Sequence, residues 1–103
     1  MMEESSILIG DKPFMNYVTG VVMQFTTKNA SQVTIKARGK FISRAVDVAE
    51  VTSKRFLDSN VAVQGIIIGS EEFQTPEGKP IRVSTIEITL TKQREMLTGM
   101  REE

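Results

Sequence analysis

Apolar residues recur at Met15, Val18, Val22 and Phe25 behind Pro13, a spacing that predicts a helix from Pro13 to about Lys28. Proline suits a first helical turn because its missing N–H would be unpaired there anyway. Ahead of it, Ser6 to Ile9 is a short apolar run stopped by Gly10 and reads as a small strand. After Asn29, Ala30 and Ser31 the period changes. Val33, Ile35 and Ala37 alternate with Thr34, Lys36 and Arg38, the pattern of a strand with one buried face, and Gly39 ends it. Ile42, Ala45, Val46 and Ala49 then form a stripe opposite Arg44, Asp47, Glu50 and Lys54, which predicts a second amphipathic helix. Phe41, Val48, Val51 and Phe56 fall off that stripe, an apolar surplus that suits a subunit interface.

From Val61 onward the pattern is β. Val61 and Val63 alternate, while Ile66 and Ile68 resume one residue out of phase, so a bulge is expected at Gly65. Ile81 and Val83 precede Ile86, Ile88 and Leu90, which implies a second slip near Ser84 and Thr85. Between the runs, Pro76-Glu77-Gly78 supplies a proline set for a bend and a glycine able to take positive φ. The resulting hairpin holds one large apolar side chain, Phe73, between Glu71 and Pro80, so its tip should project as an arm. Roughly seven residues from Gly69 to the turn reach on the order of 20 Å.

The order β-α-β-α-β-β with right-handed crossovers predicts an α/β fold of the α+β two-layer kind. It has a four-stranded mixed sheet, two helices on one face and a long hairpin arm. The 103 residues form a single domain, 1–103, with its core at about 6–92 and a frayed polar tail from Gln93 to Glu103.

With 40% hydrophobic and 25% charged residues the chain has the composition of a globular domain. At this length a dimer would help by burying more apolar area. Cysteine and histidine are both absent. That removes disulfides, thiolate zinc sites, cysteine nucleophiles and the usual base near neutral pH, and no metal site or cofactor is expected. No apolar run is long enough to cross a membrane, and the acidic start lacks the positive region of a signal peptide, so a cytoplasmic protein is expected.

The formal charge is zero, but it is unevenly spread. Residues 12–94 carry twelve basic and seven acidic side chains, a net of +5, and the ends are acidic. The densest cations are Lys36, Arg38, Lys40 and Arg44, spanning a strand end, the Gly39 turn and a helix start. They suit phosphate beside helix N–H groups, or equally a solubilising edge. Asn16 and Tyr17 fall in the first helical turn beside Lys12. Tyr17 either stacks on a base or packs at the core margin. Asp11 either stabilises the helix start or repels phosphate there. Lys79 and Arg82 flank the hairpin turn as a basic arm entering a groove would require, but Glu71, Glu72 and Glu77 oppose that reading.

Catalytic signals are thin. Glu71 and Glu72 are adjacent on a strand and point to opposite faces, so they make no carboxylate pair. Gly39-Lys40 looks like the end of a phosphate loop, yet Phe41 and Thr34 occupy positions that motif reserves for Ser/Thr and glycine. No enzyme is expected.

Six dispersed segments resemble the Alba family, small archaeal chromatin and RNA-binding proteins. They are Ile9-Gly10-Asp11-Lys12-Pro13, Met15-Asn16-Tyr17-Val18, Ile35-Lys36-Ala37-Arg38-Gly39-Lys40, Ile42-Ser43-Arg44-Ala45-Val46-Asp47, Arg55-Phe56-Leu57 and Arg82-Val83-Ser84-Thr85-Ile86-Glu87-Ile88. The resemblance covers about residues 6–92. It implies a homodimer, or a heterodimer with a paralogue, that is chromosome-associated and places its arms in minor grooves of double-stranded DNA. It further implies Lys12, Asn16, Tyr17, Arg38, Lys40 and Arg44 as binding residues, Lys79 and Arg82 on the arm, and Phe56 as the contact between neighbouring dimers on DNA. Lys12 corresponds to a lysine whose acetylation weakens DNA binding in the family. Asp11 stands where the family often has a second lysine, and the near-neutral pI departs from the family's basic norm, which favours weaker duplex binding or RNA as ligand. An RNA-processing or translation role and a protein-interaction scaffold are the alternative readings.

Overall fold

The computed structural model describes residues 4–57 and 60–93. The elements run β1 (Glu4–Leu8), α1 (Phe14–Thr26), β2 (Gln32–Arg38), a 3-10 turn (Gly39–Phe41), α2 (Ile42–Val51), a π-helical turn (Thr52–Phe56), β3 (Val61–Gln74) and β4 (Pro80–Lys92). The sheet has the order β1-β2-β4-β3, with β1 parallel to β2 and the other pairs antiparallel. This is the mixed four-stranded sheet that the element order predicts.

Both helices lie on one face. Val18, Val21 and Phe25 of α1 and Ala45, Val48 and Ala49 of α2 are buried in one cluster with Val33, Ile35 and Ala37 of β2 and Ile86, Ile88 and Leu90 of β4. The pairs Val33–Leu90 and Ile35–Ile88 face each other across the ladder, and directly opposed residues share a face, so the helix-facing side of the central strands is continuous. Among the described residues no helix is long and apolar enough to cross a membrane.

Several boundaries differ from the sequence expectation. β1 starts at Glu4 and stops at Leu8; Ile9 lies past the strand, yet it is buried and its N–H still donates to the Lys36 carbonyl at 2.8 Å. Pro13, with ψ 142°, is the cap before α1 rather than its first residue, and the helix ends at Thr26. Asn29, at φ 57°, then turns the chain toward β2.

The apolar stripes are also rotated. Met15 is exposed, and α1 buries Tyr17 and Val21 instead. On α2, Val46 is 42% exposed whereas Val48, expected off the stripe, is fully buried. The true stripe is Ala45, Val48, Ala49 and Thr52, the i, i+3, i+4, i+7 set of one helix face. A buried threonine at its end concealed it.

The bulge expected at Gly65 is present as a register shift between Val63 and Gly65, with Gln64 as the extra residue. The slip expected near Ser84 and Thr85 is absent, because pairing is continuous from Gly69–Thr85 to Gln74–Pro80. Ile81 and Val83 simply lie on the other face of the ribbon from Ile86, in a stretch that is exposed save for half-buried Val83. Of the tail expected from Gln93 to Glu103, all but Gln93 lies outside the described residues.

Candidate nucleic-acid interface

Because β1 and β2 are parallel, both end on one side of the sheet, and α1 and α2 both begin there. No side chain caps either helix start, and neither first turn holds an acid. The N–H groups of Asn16 and Ile42 bond to the carbonyls of Pro13 and Gly39, and the positive dipole ends of the two helices meet no acid in their first turns. β3 runs in the direction of β2, so the hairpin leaves at this same end. The last pairing with β2 is Arg38–Thr85; from Ser70–Ser84 to Gln74–Pro80 the two strands pair only with each other. The arm makes the molecule elongated, with extents of 63 × 24 × 24 Å.

The loop from Ile9 to Pro13 is pinned from two sides. The Tyr17 hydroxyl accepts the N–H of Gly10 at 2.9 Å and that of Lys12 at 3.0 Å. Arg44, at the start of α2, donates to the carbonyls of Gly10 and Lys12. Tyr17 is only 9% exposed, so of its two sequence readings the core-margin one describes its packing, and its ring offers no face to a base. Arg44 likewise spends its guanidinium on the loop. Both residues act on the surface by fixing Lys12, which is exposed, beside exposed Asn16 and Asp11.

Gly39 has φ 60°, a left-handed conformation that glycine adopts without steric cost and that turns β2 sharply into the 3-10 turn. This places Lys40 beside Arg38 at the rim, with its ammonium 5.5 Å from the centre of the Phe41 ring. Lys36 lies on the sheet's open face in a row with Leu8, Glu87 and Ile67. Together with Arg38 and Glu71 it lines a shallow groove of about 230 Å³ there.

The arm turn is built by Thr75, whose carbonyl accepts the Gly78 N–H at 2.8 Å and whose hydroxyl accepts the Lys79 N–H at 3.0 Å. Gly78 sits at φ 86°. Two carboxylates of β3 are paired, one to the rim and one within the arm. Arg38 donates to Glu71 at 2.9 Å and lies 5.4 Å from the Phe73 ring centre; Arg82 donates to Glu72 at 3.1 Å and to the Ser70 hydroxyl at 3.2 Å.

The structure thus gathers Lys12, Asn16, Arg38, Gly39, Lys40 and Arg44 at one end of the sheet. Lys79 stands apart at the arm tip, and Lys36 lies on the open face. Phe56, 50% exposed on the π-helical turn after α2, lies at the opposite end. Among the described residues Lys12, Lys36, Lys40 and Lys79 have no ion-pair partner. Sequence reasoning did not find that Glu71 and Phe73 belong to this site. Both stand at alternate positions of one strand beyond the pairing limit of β2, a relation visible only once β4 is known to lie between β2 and β3.

A two-layer α/β domain whose cationic strand ends, uncapped helix starts and projecting hairpin converge on one side defines a small class of proteins. The Alba family model matches residues 5–70, and the chain belongs to the Alba family. It is 48% identical over 89 residues to the DNA/RNA-binding protein Alba of Methanococcus maripaludis, spanning 86% of this chain and 99% of the relative. The protein of that name from Nanoarchaeum equitans is 56% identical over 88 residues, 84% of this chain and 97% of its own. Among solved structures, Alba from Thermoplasma volcanium superposes with a TM-score of 0.77 at 47% identity, covering 84% of this chain and 99% of that one.

Proposed function

We propose that this protein binds double-stranded DNA and RNA without sequence preference, and coats and compacts duplex DNA on the chromosome as a non-catalytic dimer. The observation that carries this reading is the convergence of exposed Lys12 and Lys40, half-exposed Arg38, two uncapped helix starts and the arm at one end of the sheet. Such a surface grips the phosphate backbone, which carries no sequence information. The arms supply groove contacts through Lys79, and relatives named DNA/RNA-binding proteins agree with the chemistry. RNA is bound through the same phosphate contacts; the buried ring of Tyr17 gives base stacking no support.

The test is fluorescence anisotropy with duplex DNA and single-stranded RNA, comparing the natural chain with Arg38→Glu/Lys40→Glu. With six to ten cations per dimer on phosphates, affinity falls roughly 10³- to 10⁵-fold between about 50 and 200 mM salt. The double reversal abolishes binding to both ligands. A flat salt response, or an unaffected variant, refutes the reading.

Dimerisation has its own support. Val63, Ile66 and Ile68 of β3 oppose Leu90, Ile88 and Ile86, so they face the helix side, yet among the described residues they are left exposed there. Ile66 is 58% and Ile68 77% exposed, on an edge strand with an unpaired outer side. A second copy or an Alba paralogue fits this strip, and Phe56 is left free to meet a neighbouring dimer. Ile66→Asp should sediment as a monomer where the natural chain sediments as a dimer, and a dimeric variant would assign the interface elsewhere. Lys12, solvent-exposed on its pinned loop, is the residue at which acetylation would act on binding.

A further inference from the structure

Two arginines of the basic surface are already occupied by carboxylates of the arm, and one of these pairs bridges the arm to the rim. We propose that Glu71 is a built-in competitor of nucleic-acid phosphate for Arg38, setting both the affinity of the surface and its salt response; the inference rests on the nucleic-acid reading above. Arg38 is the last residue of β2, and Glu71 lies on β3 just past the point where β2 stops pairing. The Arg38 guanidinium donates to the Glu71 carboxylate at 2.9 Å, while the ring of Phe73, two residues further along the same strand face, stands 5.4 Å away.

A guanidinium fork receives carboxylate and phosphate with the same donor geometry, so one Arg38 cannot serve both anions fully. Its side chain is 48% exposed and that of Glu71 50%, which leaves the pair weak and open to exchange with solvent-borne anions. Phosphate arriving at the rim displaces Glu71, and Phe73 keeps the guanidinium at the arm base while it does so. Glu72 does not share this role, because its pair with Arg82 lies wholly within the arm. Glu77 is at the turn and has no ion-pair partner among the described residues, which makes it the control for charge alone.

The experiment is anisotropy with a 20-base-pair duplex across a salt series for the natural chain, Glu71→Gln, Glu77→Gln, Arg38→Gln and Arg38→Gln/Glu71→Gln. Glu71→Gln should tighten binding about fivefold per engaged protomer at low salt. The slope of log affinity against log salt should steepen, by up to about one per protomer, since no freed carboxylate is left to take up a counterion when Arg38 meets phosphate. Glu77→Gln, with the same change in charge at the arm tip, should raise affinity less than Glu71→Gln and leave the slope unchanged, since it holds no cation that phosphate must take over. In the Arg38→Gln background the gain from Glu71→Gln should vanish. Equal gains from Glu71→Gln and Glu77→Gln reduce the effect to net charge and overturn the proposal. Weakened binding by Glu71→Gln with an unchanged slope also overturns it, because Glu71 is then a pin that orders the arm. Binding by none of the proteins, the natural chain included, removes the nucleic-acid reading and this inference with it.

Discussion

At the rim, Lys12 sits on a loop tied into the molecule by the buried Tyr17 hydroxyl and the Arg44 guanidinium, whereas Arg38 at the arm's base and Arg82 within the arm are paired with carboxylates half or more exposed to water. The same end of one sheet therefore presents two kinds of cation. The Lys12 loop is fixed by hydrogen bonds to backbone groups, which salt does not screen. The arm's backbone is held by its own ladder and turn, but Arg82 within it and Arg38 at its base are oriented by surface ion pairs, which salt weakens. In the binding mode proposed above, preorganisation of the Lys12 loop saves ordering cost, and the exchangeable pairs let the arm's base adjust to the groove it meets.

The largest effect that tests this contrast is at Tyr17. Tyr17→Ala removes a buried ring as well as the hydroxyl and should cost about 3 to 5 kcal/mol of stability. Tyr17→Phe isolates the pin. It keeps the ring, leaves the Gly10 and Lys12 N–H groups without their acceptor, and should cost about 1 to 2 kcal/mol. Urea denaturation at low and high salt reads both, and the loss in Tyr17→Phe should be the same at either. Duplex affinity of Tyr17→Phe should drop, because Lys12 no longer sits at a fixed place. A loss that salt erased would mean that the loop is held by charge like Arg38 and Arg82, and the distinction between the two regions would collapse.

How much of this was legible in the sequence follows the same division. The elements and their order were readable because helix and strand periods are local, and Gly65 announced a bulge that Val63 and Ile66 required. The Pro76-Glu77-Gly78 turn was readable for the same reason. The face of α2 was misread because Thr52 completes the buried stripe without being apolar, and Val46 sits outside it while being so. The arm was misread in register because Ile81 and Val83 obey no buried face at all. At the site, the cations were visible as a cluster, but their partners were not. That Arg44 faces backbone carbonyls and Arg38 faces Glu71 depends on which strands neighbour each other, and nothing within nine residues of sequence encodes it.

The smallest effect is at the arm's own pair. Glu72→Gln leaves Arg82 with the Ser70 hydroxyl, on a ribbon exposed to water along 70–74 and 80–82. Exposed pairs of this kind contribute at most about 1 kcal/mol, so global unfolding should shift by less than that. Most of the change should appear locally, as faster amide exchange along Phe73 to Val83, because a two-stranded ribbon without a covering layer opens independently of the core. At about 1 M salt the natural chain should exchange there as fast as Glu72→Gln, since a screening length of roughly 3 Å already removes the pair's attraction. If the natural arm instead stays protected at high salt while Glu72→Gln does not, the pair holds the ribbon by its hydrogen-bond geometry rather than by charge. The arm would then be a second rigid element, and the adjustable part of the surface would shrink to Arg38 alone.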